Sequence, residues 1–160
     1  MTFQIEPIAT VEAPRARPDD DFWGGQTARI TLAAALPGEA LLGLDGYSHV
    51  EVLFVFHGVD PASVVTGARH PRGNPAWPRV GILAQRGKNR PNRIGSTICR
   101  VRGIEGRTLV VSELDAIDGT PVIDLKPVMR EFLPRGEVTQ PAWATELMRD
   151  YWRPSAEAPG

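Results

Sequence analysis

Three stretches of this chain place polar and turn-forming residues where a plain strand needs neither. Gly43-Leu44-Asp45-Gly46-Tyr47-Ser48-His49 runs into Leu53-Phe54-Val55-Phe56-His57. Gly81-Ile82-Leu83-Ala84-Gln85-Arg86 is followed by Arg90-Pro91-Asn92-Arg93-Ile94-Gly95-Ser96. The third is the unbroken run from Leu114 to Pro127, LDAIDGTPVIDLKP. Their residue types do different work. Arginine presents a planar fork that suits phosphate and carboxylate oxygens. Asp-Gly is a turn pair, so Asp118-Gly119 could be scaffold as readily as chemistry. Asp124 and Lys126, two apart on one strand, share a face, and either an ion pair or a substrate contact accounts for them.

The charges sharpen this picture. Between Arg69 and Arg107 there are ten basic residues and one acid, Glu105, although the whole chain holds 18 Lys+Arg against 19 Asp+Glu. A basic stripe inside an otherwise acidic chain is the pattern of a local anion-binding surface, with solvated strand faces as the plain alternative. Arg90 and Asn92 flank Pro91, which presets the backbone, so Arg90 reads as a phosphate or nucleobase contact ahead of a structural pair. Trp23 and Trp77 could stack bases or pack the mouth of a barrel.

Other chemistries fail on spacing. No Gly-rich turn follows a first strand, as a doubly wound nucleotide fold requires. Gly81 to Lys88 is no phosphate loop: five residues separate Gly81 from Gly87, and Asn89 stands where Ser or Thr must hold magnesium. His49 and His57 have no Cys or further His near them to complete a metal set, so no metal is expected. Cys99 lies in a strand-like segment and reads as a buried, inert thiol. No nucleophile elbow supports a Ser-His-Asp arrangement.

The elements that must position these residues are short. Fifteen prolines and sixteen glycines exclude long helices and favour strands joined by turns. Strands are expected at Phe3–Val11, Ala28–Leu36, His49–Phe56 (buried on both faces), Arg79–Ala84, Ile94–Val101, Thr108–Leu114 and Pro121–Lys126. A helical turn or two fits Gly38–Leu44, and 58–79 reads as a long loop, of a length that is usually functional or disordered. Pro141 opens an amphipathic helix with Trp143, Leu147 and Tyr151 on one face, and 153–160 reads as a frayed tail. The expected fold is mainly β: a small β-barrel of short strands over residues 1–136, with a C-terminal helix and flexible tail over 137–160. No signal peptide or spanning segment is apparent, and one cysteine implies no oxidising compartment. A cytoplasmic protein with no membrane partner is expected.

The order and spacing of the three stretches resemble the TsaA-like domain of the TrmO family of S-adenosylmethionine-dependent tRNA methyltransferases. That family typically carries GL-x-x-F-S-H, F-H, F-A-T-R-S, R-P-N-P-I-G and D-G-T-P-V-x-D-I-K-P-Y. The match runs from about Ile5 to Pro127. The resemblance implies a β-barrel methyltransferase, homodimeric, with S-adenosyl-L-methionine near the subunit interface. Its acceptor would be the exocyclic amine of threonylcarbamoyl-adenosine beside the tRNA anticodon. Carried over by position, the cofactor contacts are Gly24, Gly25 and Gln26, then Phe56 and His57, Arg86, Ser96, and Ser112, Glu113, Leu114 and Asp115. Gln85 and Gly87 replace Thr and Ser around Arg86, Arg93 replaces the second Pro, and Val128 replaces Tyr.

Methyl transfer to an adenine amine needs alignment more than acid–base strength. A carboxylate accepting one N–H would localise the amine lone pair, and Asp118 and Asp115 are the candidates. Arg90, Asn92, Arg93 and Lys126 are the expected substrate contacts. His57 either orients the cofactor or satisfies a backbone group at a strand end. A small-molecule methyltransferase or a non-catalytic RNA- or nucleotide-binding barrel are the alternatives on the same fold.

Overall fold

The computed structural model describes residues 1–155. Its strands are β1 (Ala9–Glu12), β2 (Thr27–Leu32), β3 (His49–Val55), β4 (Ala68–Arg69), β5 (Val80–Gly81), β6 (Ile94–Glu105), β7 (Thr108–Ser112) and β8 (Pro121–Pro127), followed by one α-helix, α1 (Ala142–Leu147). Six strands close into an antiparallel barrel in the order β1-β2-β7-β6-β3-β8, and β4 with β5 forms a separate ribbon.

Alternation builds the barrel. In β3, Val50, Val52 and Phe54 point inward and are buried, while His49, Glu51, Leu53 and Val55 lie on the outer face. The strand is therefore one-sided rather than buried on both faces, its outer-face residues being only half-buried. The interior is filled by Val11, Ile30, Leu109, Val111, Val122 and Cys99 among others, mostly small β-branched side chains that suit a narrow six-stranded bore. β6 is long because it serves two neighbours. Its first half pairs with β3 up to His49↔Arg100, and from Arg100↔Ser112 onward its second half pairs with β7, with a register shift between Val101 and Gly103.

Several boundaries move from their sequence positions. Pairing of β1 begins at Ala9, opposite both Leu32 and Val122: β2 ends at Leu32, while β8 runs on to Pro127 along β3. Phe3 and Ile5 therefore stay exposed. The expected strand at Arg79–Ala84 is only the two-residue β5 followed by a 3-10 turn over Ile82–Ala84, and Gly38–Leu41 and Leu44–Gly46 are 3-10 turns too. The long loop contains β4 and further 3-10 turns. No helix is long and apolar enough to cross a membrane among the described residues.

The C-terminal segment returns to the barrel. α1 spans six residues, so Tyr151 lies beyond it. The following chain docks on the loop before β2: Phe22 N–H donates to Asp150 O (3.1 Å), Trp23 N–H to Tyr151 O (2.8 Å) and Gly24 N–H to Arg153 O (3.1 Å), with a parallel bridge between Gly24 and Pro154. The expected frayed tail is therefore anchored at Arg153 and Pro154; its remainder, 156–160, lies outside the described residues.

Cys99 is fully buried. Burial first, then the Asp115 and Glu113 carboxylates, push its thiol upward from the ordinary value of 9.0. The native thiol is expected to resist an aromatic disulfide reagent at pH 8 and to react only after denaturation. Rapid titration of the folded protein would overturn that reading.

Candidate active site

At one end of the barrel the strand ends and loops enclose a cleft of about 1490 Å³. Phe56 and His57 enter it from the end of β3. Phe56 N–H donates to Arg93 O (2.8 Å), and the Phe56 ring stands edge-on to Phe54 at 5.3 Å. Gly95 faces these rings at the start of β6. A Cβ there would lie 2.5 Å from Phe54 Cε2 and 3.0 Å from Phe56 Cζ, so only glycine lets the aromatic pair seat.

Arg86 donates from Nη2 to Ser96 O, and Ser96 Oγ donates to Glu51 Oε1 at 2.6 Å. Asp115 accepts hydrogen bonds at both carboxylate oxygens, one from Thr97 Oγ1 and one from the Tyr151 hydroxyl. It thus ties β6, the β7–β8 connection and the C-terminal segment together. Glu113 adopts a left-handed backbone (φ 67°) just after β7, and its N–H donates to Gln26 O at 3.0 Å.

Of the residues expected from the sequence, Phe56, His57, Arg86, Arg90, Ser96, Glu113 and Asp115 line this cleft together. The structure places the others elsewhere. Asp118 is exposed, outside the cleft lining, and its carboxylate accepts the Ala13 N–H at 3.0 Å. That contact ties its turn to the chain just after β1. Lys126 pairs with Asp124 at 2.6 Å on the barrel exterior. Arg93 Nη1 donates to Val59 O (2.9 Å), supporting the turn after β3, and Asn92 makes a left-handed turn (φ 62°). Ser112 is buried and accepts from Arg102 Nε at 2.9 Å, while Leu114 belongs to the core. Gly24 and Gly25 lie under the C-terminal segment, and a Cβ on Gly24 would sit 2.0 Å from Trp152 O. Gln26 is half-buried and outside the lining.

The basic stripe also divides. Arg69, Arg72, Arg86, Lys88 and Arg90 line the cleft, whereas Arg107 donates to Leu32 O, and Arg100 is exposed on the barrel exterior. Arg72 makes a two-pronged contact to Asp21 (2.9 and 2.8 Å). No ion pair joins Arg69, Arg86, Lys88 or Arg90 to a carboxylate among the described residues. Arg90 Nη1 instead donates to Gln85 O at 2.7 Å.

Sequence reasoning missed the wall opposite. Gln140, Trp143, Leu147, Met148, Tyr151 and Trp152 all line the cleft. The Trp143-Leu147-Tyr151 stripe, expected on one face of a helix, lies outside the barrel core and lines this cleft. Trp77 Nε1 donates to Glu146 (2.9 Å) and ties α1 to the long loop. Trp23 is buried, with the Arg15 guanidinium 4.1 Å above its ring. Neither tryptophan belongs to an open stacking platform.

Burial first, then the Asp115 charge and hydrogen bond, push the Tyr151 phenol upward from its ordinary value of 10.0, against a smaller opposing effect of Arg86 and Arg72. A raised acid binds its proton more tightly when folded. Its stabilisation is therefore whole below about pH 10 and is lost as pH rises further. Denaturant titrations between pH 8 and 11 are expected to show falling stability above pH 10, and Tyr151→Phe is expected to flatten that fall. An unchanged slope in the variant would refute the assignment.

The fold is thus a closed antiparallel barrel carrying a cleft with cationic and aromatic walls. Residues 12–132 match the family described as the tRNA-methyltransferase O N-terminal domain, and the chain belongs to that family. A human tRNA (adenine(37)-N6)-methyltransferase is 35% identical over 119 residues, covering 74% of this chain and 26% of the relative. A probable S-adenosyl-L-methionine-binding protein, VirR, of Rhizobium radiobacter is 36% identical over 123 residues, covering 75% and 67%. The crystal structure of TrmO from Pseudomonas aeruginosa superimposes with a TM-score of 0.72 at 26% identity, covering 89% of this chain and 62% of that one. The chain thus spans about a quarter of the human relative. The wall formed by residues 140–152 lies beyond the matched region.

Proposed function

We propose that this chain is an S-adenosyl-L-methionine-dependent methyltransferase acting on the exocyclic amine of an adenine in tRNA, namely threonylcarbamoyl-adenosine next to the anticodon. The observation that carries the reading is the cleft itself, in which seven residues at positions of the family motifs converge. Its volume exceeds the usual range of about 300–1,000 Å³ for one small ligand, which leaves space for a cofactor and an acceptor base together.

The residues present fit the cofactor. Phe56 and the Trp143 wall suit an adenine ring, Glu51 and Glu113 offer acceptors for hydroxyl and amino groups, and Arg86 is a cation without a carboxylate partner among the described residues. When bound, S-adenosyl-L-methionine supplies an electrophilic methyl group. The chain's own task is alignment, which can contribute roughly 7–11 kcal/mol. Arg86 holds the Ser96 backbone, Ser96 holds Glu51, and Asp115 holds the C-terminal wall in register with β6. Phe54 and Phe56 exclude water from the floor. The amine proton passes to solvent after transfer. Arg90 meets the RNA. The protein works as a cytoplasmic homodimer, with residues 1–136 as the barrel domain and 137–160 as its C-terminal appendage.

Calorimetric titration of S-adenosyl-L-methionine, with and without tRNA lacking the modification, tests this reading. A Kd in the range of about 1–100 μM is expected, equivalent to about −8 to −5.5 kcal/mol, with a methylated adenosine appearing by mass spectrometry. Absence of heat under both conditions would refute it. Light scattering at micromolar protein should give twice the chain mass.

A further inference from the structure

Arg69 on β4 is half-buried and has no acid in ion-pair contact among the described residues. Its Nε is one of two buried side-chain polar atoms lacking a protein partner among the described residues. The other, on Arg15, belongs to a guanidinium already stacked on Trp23. Leaving a buried donor unpaired costs about 1–3 kcal/mol, more for a charged group, so folding alone does not account for it.

The surroundings hold this side chain in place. The β4–β5 ribbon sets Arg69 opposite Val80. Gln85, itself buried, donates from Nε2 to Arg69 O (3.2 Å) and Val80 O (3.1 Å), and Arg90 donates to Gln85 O. The guanidinium lies against Gly87, where an added Cβ would be 2.8 Å from Arg69 Nη2. The backbone of Arg69 thus serves the fold, while its side chain lines the cleft beside Lys88 and Arg90, which also lack carboxylate partners among the described residues.

We propose that Arg69, backed by Lys88 and Arg90, is an oxyanion subsite of the cleft that receives a phosphate or carboxylate group of a bound ligand. The enclosed Nε fixes the plane of the guanidinium, and the terminal nitrogens of this cleft-lining side chain are suited to two-pronged capture of such a group. This rests on the methyltransferase reading only for the source of the oxyanion, which is either an RNA phosphate or the carboxylate of the cofactor.

The first probe is inorganic pyrophosphate, which depends on neither source. Millimolar pyrophosphate is expected to raise the Tm of the wild-type protein, Arg69→Met to abolish most of that rise, and Arg69→Lys to keep part of it. In the tRNA arm, Arg69→Met should weaken binding about tenfold and reduce the salt slope by about one. In the cofactor arm, it should weaken S-adenosylmethionine but leave its decarboxylated analogue unchanged. A loss in either arm supports the subsite and names the source. Unchanged pyrophosphate, tRNA and cofactor responses in a folded Arg69→Met would overturn it. Should that variant fail to fold, Gly87→Ala displaces the same guanidinium and is read by the same criteria. A pyrophosphate response that depends on Arg69, in a protein that binds no cofactor, would retain the subsite and reject the methyltransferase reading.

Discussion

Substituting Asp115 by alanine is expected to lower methyl transfer about a hundredfold, with most of the loss in kcat. The carboxylate accepts from Thr97 on β6 and from Tyr151 on the C-terminal segment. Removing it leaves two donors in partly buried positions, at a cost of about 1–3 kcal/mol each. A chain of this length should then lose roughly 5–10 °C in Tm. The larger effect is geometric. Without that bridge the Trp143–Tyr151 wall no longer keeps its distance from Arg86 and Ser96, and a misplacement of about 1 Å can cost about 10²-fold in rate. Asp115→Asn keeps an acceptor without the charge and should recover part of the stability. Tyr151→Phe removes only one of the two bonds, so the double variant should lose less than the two single losses added. Wild-type kcat in Asp115→Ala would show that the bridge plays no part in alignment.

Gly24→Ala should separate the wall from the barrel. The added Cβ would meet Trp152 O at 2.0 Å and Trp152 C at 2.8 Å. These are backbone atoms that no rotamer change can move. Gly24 and its two predecessors also make three of the hydrogen bonds that dock residues 150–153. The segment is therefore expected to detach, losing about 0.5–1.5 kcal/mol for each bond, while the six-stranded core is untouched. Limited proteolysis should cut between 137 and 155 in the variant and not in the wild type. Cofactor binding should weaken about tenfold or more as the aromatic wall leaves. Protection from protease together with normal turnover would mean that the loop yields instead of the segment.

The two substitutions also show how far the primary structure reaches. Local alternation marks Val50, Val52 and Phe54 as one face of a strand, and the motif order carries Phe56, His57, Arg86, Ser96, Glu113 and Asp115 into a common site. These are properties of neighbouring residues or of motif spacing, and they survive into the fold. Asp118 and Lys126 lie in the same well-marked stretch, yet one caps a turn on Ala13 and the other pairs with Asp124 outside the barrel. Residues next to one another on a strand face opposite ways, so membership of a motif does not decide which of them meets the cleft.

By itself the sequence determined a mainly β fold of short strands, the family motifs, and the excess of cations between Arg69 and Arg107. Only the tertiary structure decided that β6 pairs along two neighbours, that the C-terminal aromatics close the cleft on Asp115, and that Arg69 keeps a buried donor unmatched among the described residues. The reason is the range of the forces involved. Side-chain alternation and turn chemistry act over a few residues, whereas barrel closure joins strands more than a hundred positions apart, such as Ala9 and Val122. Which arginine finds a carboxylate and which faces an open cleft is settled only when that closure fixes every loop at the barrel's end.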